Sequence, residues 1–203
     1  MSKVLLLNIL FVSVFFSVRN SSSNRFSHDA LNQNGSFQDS SVYLFGSNLD
    51  KLTLHIFNST NHDEQTKNAI LTFSRQGKVI FQDSLFCMYP DISFQDFNND
   101  GVKDVLVFYS TGARANPTYH LYLADNKNHK LIGVKGFEKL PNPSLGKPEN
   151  IITSIALSGS NYYSFYRITS KNKLINLGHS FEENPRDSTQ YERAIRKILK
   201  ENK

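Results

Sequence analysis

Residues Asp91 to Leu123 read DISFQDFNNDGVKDVLVFYSTGARANPTYHLYL, and the fold turns on them. Three β-type runs stand in this stretch: Ile92–Phe94, Val105–Tyr109 and Tyr119–Leu123. A polar loop carrying Asn99-Asp100-Gly101 separates the first two, and Thr111-Gly112 follows the second. Gly and Asn tolerate the left-handed backbone that tight reversals need, so both interruptions are turn signals. In Tyr119-His120-Leu121-Tyr122-Leu123 a period of two separates two faces, as in a pleated strand with one side buried. The stretch therefore predicts antiparallel hairpins.

The same pattern extends in both directions. Val42–Phe45, Leu52–Phe57, Ile70–Phe73 and Val79–Phe81 precede it, divided by Gly46-Ser47-Asn48 and Arg75-Gln76-Gly77. Leu131–Val134, Ile151–Leu157, Tyr162–Ile168 and Leu174–Leu177 follow it, divided by Asp125-Asn126-Lys127-Asn128, Gly159-Ser160-Asn161 and Ser170-Lys171-Asn172-Lys173. These make about eleven candidate strands, each expected to be half buried. Sixteen Phe and nine Tyr without Trp suit pleated surfaces on which aromatic cross-strand pairs add stability. Past Asn184-Pro185-Arg186 the period changes. Asp187 or Ser188 can cap a helix in which Tyr191, Ile195, Ile198 and Leu199 form one apolar stripe for docking on a sheet. Residues 41–203 are thus read as one mainly β domain with a C-terminal amphipathic helix.

The first forty residues carry a different message. Lys3 precedes Val4–Val18 (VLLLNILFVSVFFSV), a run short of the roughly 20 residues of a membrane span and within the range of a signal h-region. Residues 1–20 are expected to be a signal peptide and 21–40, rich in Ser, Asn and Gln, a flexible polar tether. This implies a periplasmic or secreted protein with no stable membrane insertion after leader cleavage. The only Cys, Cys87, lies in an apolar run and excludes a disulfide framework, a CxxC metal or redox site and a lipoprotein anchor after the leader. The formal charge of +5 falls to about +3 once Lys3 and Arg19 leave with a leader. The basic residues are scattered, which leaves nucleic acid without a phosphate-neutralising surface.

One segment carries chemistry. Asp96-Phe97-Asn98-Asn99-Asp100-Gly101-Val102-Lys103-Asp104 places side-chain oxygens at positions 1, 3, 5 and 9 of a loop with Gly at position 6. Ca²⁺ takes six to eight hard oxygens at flexible angles. Asp96, Asn98, Asp100, the Val102 carbonyl and Asp104 supply five residues' worth, and water or a bidentate carboxylate can supply the remainder. Zinc would ask for nitrogen or sulfur, and Mg²⁺ keeps most of its waters. An EF-hand is excluded, because position 12 is Val107 where a bidentate Glu is needed and the flanks read as strands. A bare Asn99-Asp100-Gly101 hairpin turn would account for the middle of the segment but not for Asp96 and Asp104. Three carboxylates in nine residues repel one another unless a cation or solvent separates them.

With these residues in view, the chain resembles FG-GAP/VCBS-type calcium loops. It is closer still to small secreted bacterial proteins in which such a loop is followed by G-x-x-x-N-x-x-Y-x-x-Y, here Gly112, Asn116, Tyr119 and Tyr122. That group includes periplasmic calcium-binding immunity proteins that inhibit lysozyme-like peptidoglycan hydrolases. The resemblance implies a compact incomplete-propeller-like or sandwich arrangement. A closed propeller would need at least sixteen strands, more than are counted here. It also implies a Ca²⁺ cofactor and a protein partner, the candidate being a cell-wall hydrolase. Calcium would pin the neighbouring loop Thr111–Thr118, and that loop, or another hairpin end, would present side chains to the partner, with Arg114 and Asn116 the expected contacts. The alternative is an extracellular adhesion or envelope module whose calcium site is purely structural. Catalysis is not expected, since no HExxH pairing, G-x-S-x-G elbow or Gly-rich phosphate loop occurs.

Overall fold

The computed structural model describes residues 40–41, 44–45, 47–112, 114–146 and 150–201. The expected signal peptide lies outside the described residues, as does the expected tether except for Ser40. Three antiparallel sheets follow one another along the chain. The first joins β1 (Ser40–Ser41), β2 (Asp50–Ile56), β3 (Ala69–Arg75) and β4 (Lys78–Leu85) in sequence order. The second joins β5 (Ile92–Gln95), β6 (Asp104–Gly112), β7 (Asn116–Asp125) and β8 (Lys130–Gly133) in the same way. The third joins β9 (Ser144–Leu145), β10 (Ile152–Leu157), β11 (Asn161–Ile168) and β12 (Leu174–Asn176), with β13 (Phe181–Glu182) also on β11. One 3₁₀ turn (Phe137–Lys139) and helix α1 (Gln190–Glu201) complete the described elements.

The expectation of a mainly β chain with antiparallel hairpins and a C-terminal helix holds. Each sheet is built from consecutive hairpins, whose tight turns use residues that accept positive φ, such as Gln76-Gly77 and Asn99 with Gly101. Two expectations need correction. Leu44 and Phe45, the described half of the expected first strand, form a turn, and the edge strand is β1 instead. Leu199 is 38% exposed, so the apolar stripe of α1 runs through Ala194, Ile195 and Ile198.

Packing stacks the sheets as successive layers. Leu52, Leu54, Ala69, Leu71 and Phe73 of the first sheet share a core with Val105, Val107, Tyr122 and Ala124 of the second. The opposite face of the second sheet, with Leu106, Leu121 and Leu123, packs on Ile152 and Ile168 of the third. Phe165 of the third sheet and Ile151 then meet Ala194, Ile195 and Ile198 of α1. The second sheet is therefore covered on both sides, and Asp104 to Phe108 are all buried. This overturns the half-buried expectation for β6. The signal was in the sequence: Val105-Leu106-Val107-Phe108 is an unbroken apolar run, which is what a strand covered on both faces needs.

Polar groups pin the layers in register. Tyr122 donates to Asp83 across the first interface at 3.0 Å. Asn142 spans the second, donating to Asn116 at 2.9 Å and to the Ile155 carbonyl at 2.8 Å. Cys87 is fully buried, as expected for a small apolar side chain, with its thiol directed at the Tyr89 carbonyl. Burial pushes that thiol up to about 12, far from a reactive thiolate.

Candidate metal centre

The candidate loop joins β5 to β6 at one end of the central sheet. Its middle is curled by its own backbone. Asp96 accepts the Gly101 N–H at 2.8 Å and the Asp100 N–H at 3.2 Å. Asn98 accepts the Asp100 N–H at 3.1 Å, and Asp100 accepts the Val102 N–H at 2.8 Å. Asn98 also donates its amide to the Asp100 carboxylate at 2.8 Å. Gly101 at φ 86° and Asn99 at φ 59° permit the tight winding that brings these oxygens round. Asp96, Asn98 and Val102 are half-buried, while Asn99, Asp100 and Gly101 are exposed.

Asp104 is placed differently. It is the first residue of β6, its side chain points into the structure, and it is 0% exposed. One carboxylate oxygen accepts the Phe97 N–H at 2.7 Å and the other accepts the Ala124 N–H on β7 at 3.0 Å. The group thereby ties the start of the loop to the neighbouring strand. Burial is the main cause that holds its carboxyl up, to about 6; the two backbone donors pull it down, and the like charges of Asp100 and Asp96 push it up again. Phe97 beside it is fully buried and packs edge-on against Phe137 with centroids 5.2 Å apart, which fixes the chain on the loop's entry side.

The donor chemistry suits a hard divalent cation: three carboxylates, one amide oxygen and a backbone carbonyl, with no nitrogen or sulfur ligand. Each carboxylate oxygen that accepts one N–H keeps a further lone pair. In the described arrangement the carboxylates are spread, however. Among the described residues no three His, Cys, Asp or Glu side chains gather into a metal-holding group.

The two expected partner contacts behave unlike each other. Arg114 is exposed at the tip of the β6–β7 hairpin with φ 70°. A side chain at Gly159, the tip of the β10–β11 hairpin, would come within 3.3 Å of its guanidinium, so two hairpin ends meet there. Asn116 is spent inside the fold. Its amide donates to the Leu157 carbonyl at 3.0 Å, and its oxygen accepts the Leu157 N–H at 2.8 Å as well as the Asn142 amide. This side chain laces the second sheet to the third, and the motif position it occupies is accounted for by that bond pair.

Sequence reasoning missed the cleft beside the loop, about 480 Å³ in volume, into which Asn98, Asp100 and Val102 face together with Asn126, Lys127 and Asn172. Nothing local in the sequence joins these positions, because they come from turns of two different sheets. Comparisons with family models, with curated proteins and with solved structures found no match for this chain.

Proposed function

We propose that the Asp96–Asp104 loop binds Ca²⁺ and that the β scaffold so ordered docks a protein partner outside the cytoplasm. The observation that carries the calcium reading is Asp104. A carboxyl that is fully buried, with two other carboxylates in the same loop acting on it, is electrostatically costly in isolation. A divalent cation shared by Asp96, Asn98, Asp100, the Val102 carbonyl and Asp104 would offset that cost. The ion would supply local positive charge and order to the loop; the residues supply hard oxygens at flexible angles.

The chain is read as a binding protein rather than an enzyme. His120 is turned to the Phe86 carbonyl at 3.0 Å and His179 to Glu201 at 2.7 Å, and the Cys87 thiol is buried. Each of these groups is thus already engaged within the fold, which supports the binding reading. Partner docking is assigned to the hairpin end that presents Arg114, since an exposed guanidinium, which combines charge with a planar surface, suits an interface anchor. The resemblance to immunity proteins narrows the partner to a peptidoglycan hydrolase.

Calcium titration by calorimetry, with thermal melting in calcium and in chelator, tests the loop. Saturable binding that raises the melting point and is absent in the Asp96→Ala/Asp100→Ala double variant supports the reading; no binding at millimolar calcium removes it. For the partner, the calcium-loaded protein is titrated into assays of lysozyme-type muramidases. Inhibition that Arg114→Glu abolishes supports the docking assignment, and activity unchanged throughout defeats it.

A further inference from the structure

The cleft next to the loop is built from three turns of two sheets. Asn98, Asp100 and Val102 come from the β5–β6 loop, Asp125, Asn126 and Lys127 from the β7–β8 turn, and Asn172 from the β11–β12 turn. Its volume of about 480 Å³ lies in the range of small-molecule sites. The floor is apolar: Leu123 and Ala124 are buried there, with Ile132 and Val102 half-buried beside them. The rim holds three carboxamides, two carboxylates and one ammonium.

These rim groups differ in how committed they are. Asp125 is taken up by its own turn, where both carboxylate oxygens accept from Asn128, at 3.0 Å from the backbone and 2.7 Å from the side chain. Asp100 is taken up by Val102 and Asn98. The side chains of Asn126, Lys127 and Asn172, by contrast, make no hydrogen bond or ion pair with the rest of the described chain; Asn126 and Lys127 are exposed on the cleft and Asn172 is half-buried in its wall. Each carboxamide offers a donor and an acceptor side by side.

We propose that this cleft binds a saccharide. The reasoning is by chemistry of the lining. Two carboxylates against one ammonium make it a poor site for phosphate or nucleotides. No aromatic ring lines it, so a planar base or aromatic ligand finds nothing to stack on, and its rim is too polar for a lipid tail. A pyranose matches what is there. Its vicinal hydroxyls each donate and accept, as the uncommitted Asn126 and Asn172 do, and its C–H face can lie on the Leu123, Ile132 and Val102 floor. The site shares Asn98 and Asp100 with the calcium reading, and a loop-bound cation with coordination positions left over would accept saccharide hydroxyls as additional oxygens.

The test is amide-resolved NMR titration of the protein with maltotriose, chitotriose and trigalacturonate, each in calcium and in chelator, beside Asn126→Ala/Asn172→Ala. Both substitutions lie in turns, Asn172 at φ 58° where Ala is disfavoured, so the fold of the variant is checked by circular dichroism and its melting point before titration. The expected result is saturable shifts at Asn126, Lys127 and Asn172 with at least one sugar, weakened about tenfold or more in the double variant. No such shifts with any of the three, up to tens of millimolar in both arms, would overturn the proposal, as would shifts that the double variant leaves unchanged. Calcium added without sugar separates the two readings. Calcium shifts without sugar shifts sink the cleft alone, and sugar shifts without calcium shifts sink the loop alone.

Discussion

Two turns of the central sheet invite comparison, because both are headed by an Asp and both close a hairpin. In the β7–β8 turn, Asp125 caps its own reversal: Asn128 donates to it twice, and these bonds hold the carboxyl below its ordinary range. In the β5–β6 loop, Asp96, Asn98 and Asp100 cap the winding in the same manner, but a further carboxylate, Asp104, is carried into the interior and held up to about 6. A hairpin needs only the first kind of Asp. The second kind costs desolvation, and its two backbone partners on Phe97 and Ala124 could have been met by a neutral acceptor. The difference supports reading the β7–β8 turn as architecture and underlies the proposal of an ion in the β5–β6 loop.

The sharpest way to break this comparison is to remove each Asp in turn. Asp104→Ala leaves the buried Phe97 and Ala124 N–H groups without an acceptor, and roughly 2 to 5 kcal/mol of stability should be lost in urea denaturation. Asp125→Ala removes only the acceptor within its own turn and should cost far less. Equal losses would erase the distinction.

Calcium should sharpen it next. At a hundredfold excess over its dissociation constant the ion raises stability by about 2.7 kcal/mol if it binds only the folded chain. That gain should vanish in Asp96→Ala/Asp100→Ala and persist in Asp125→Ala, read by thermal melting of all three proteins.

The pH dependence without calcium separates the turns by sign. Asp104 rises from 3.8 to about 6 on folding, so between these values the folded chain binds more protons than the unfolded one. Its contribution is fully present below about 3.8 and is lost as pH rises through about 6, which makes the chelated protein more stable at pH 5 than at pH 7 by about 1 kcal/mol from this group. Asp125 has the opposite sign, its contribution being present above the unfolded value and lost as pH falls below it. Comparing chelated wild-type and Asp104→Asn melts across pH 4 to 7 isolates the first effect. Calcium should reverse the slope, because the ion requires the ionised carboxylate.

The smallest effect is expected at the hairpin tip. Arg114→Ala removes an exposed side chain and should leave melting and calcium titration within about 0.5 kcal/mol of wild type, while lowering affinity for a hydrolase partner.

How much of this was legible in the sequence can be followed residue by residue. The hairpins could be placed because Asn, Asp and Gly cluster at the reversals, and ten of the expected strands recur with shifted ends. The two-residue strands β1, β9 and β13 could not, since so few residues carry no periodicity. The Asp96–Asp104 spacing could be read as a loop chemistry, but the direction of Asp104 could not. It depends on the second sheet being covered on both faces, which is a property of layer packing rather than of any local pattern. The double role of Asn116 across two sheets and the gathering of Asn126 and Asn172 at one cleft were hidden for the same reason.

The most direct test of the central claim is an amide-resolved NMR titration of the protein with calcium alone. The account predicts saturable shifts at Phe97, Gly101 and Val102 and at Ala124, whose N–H meets Asp104 from the next strand, with Asn128 in the neighbouring turn unmoved. Shifts as large at Asn128 as in the loop, or none in residues 96–104 at millimolar calcium, would contradict it.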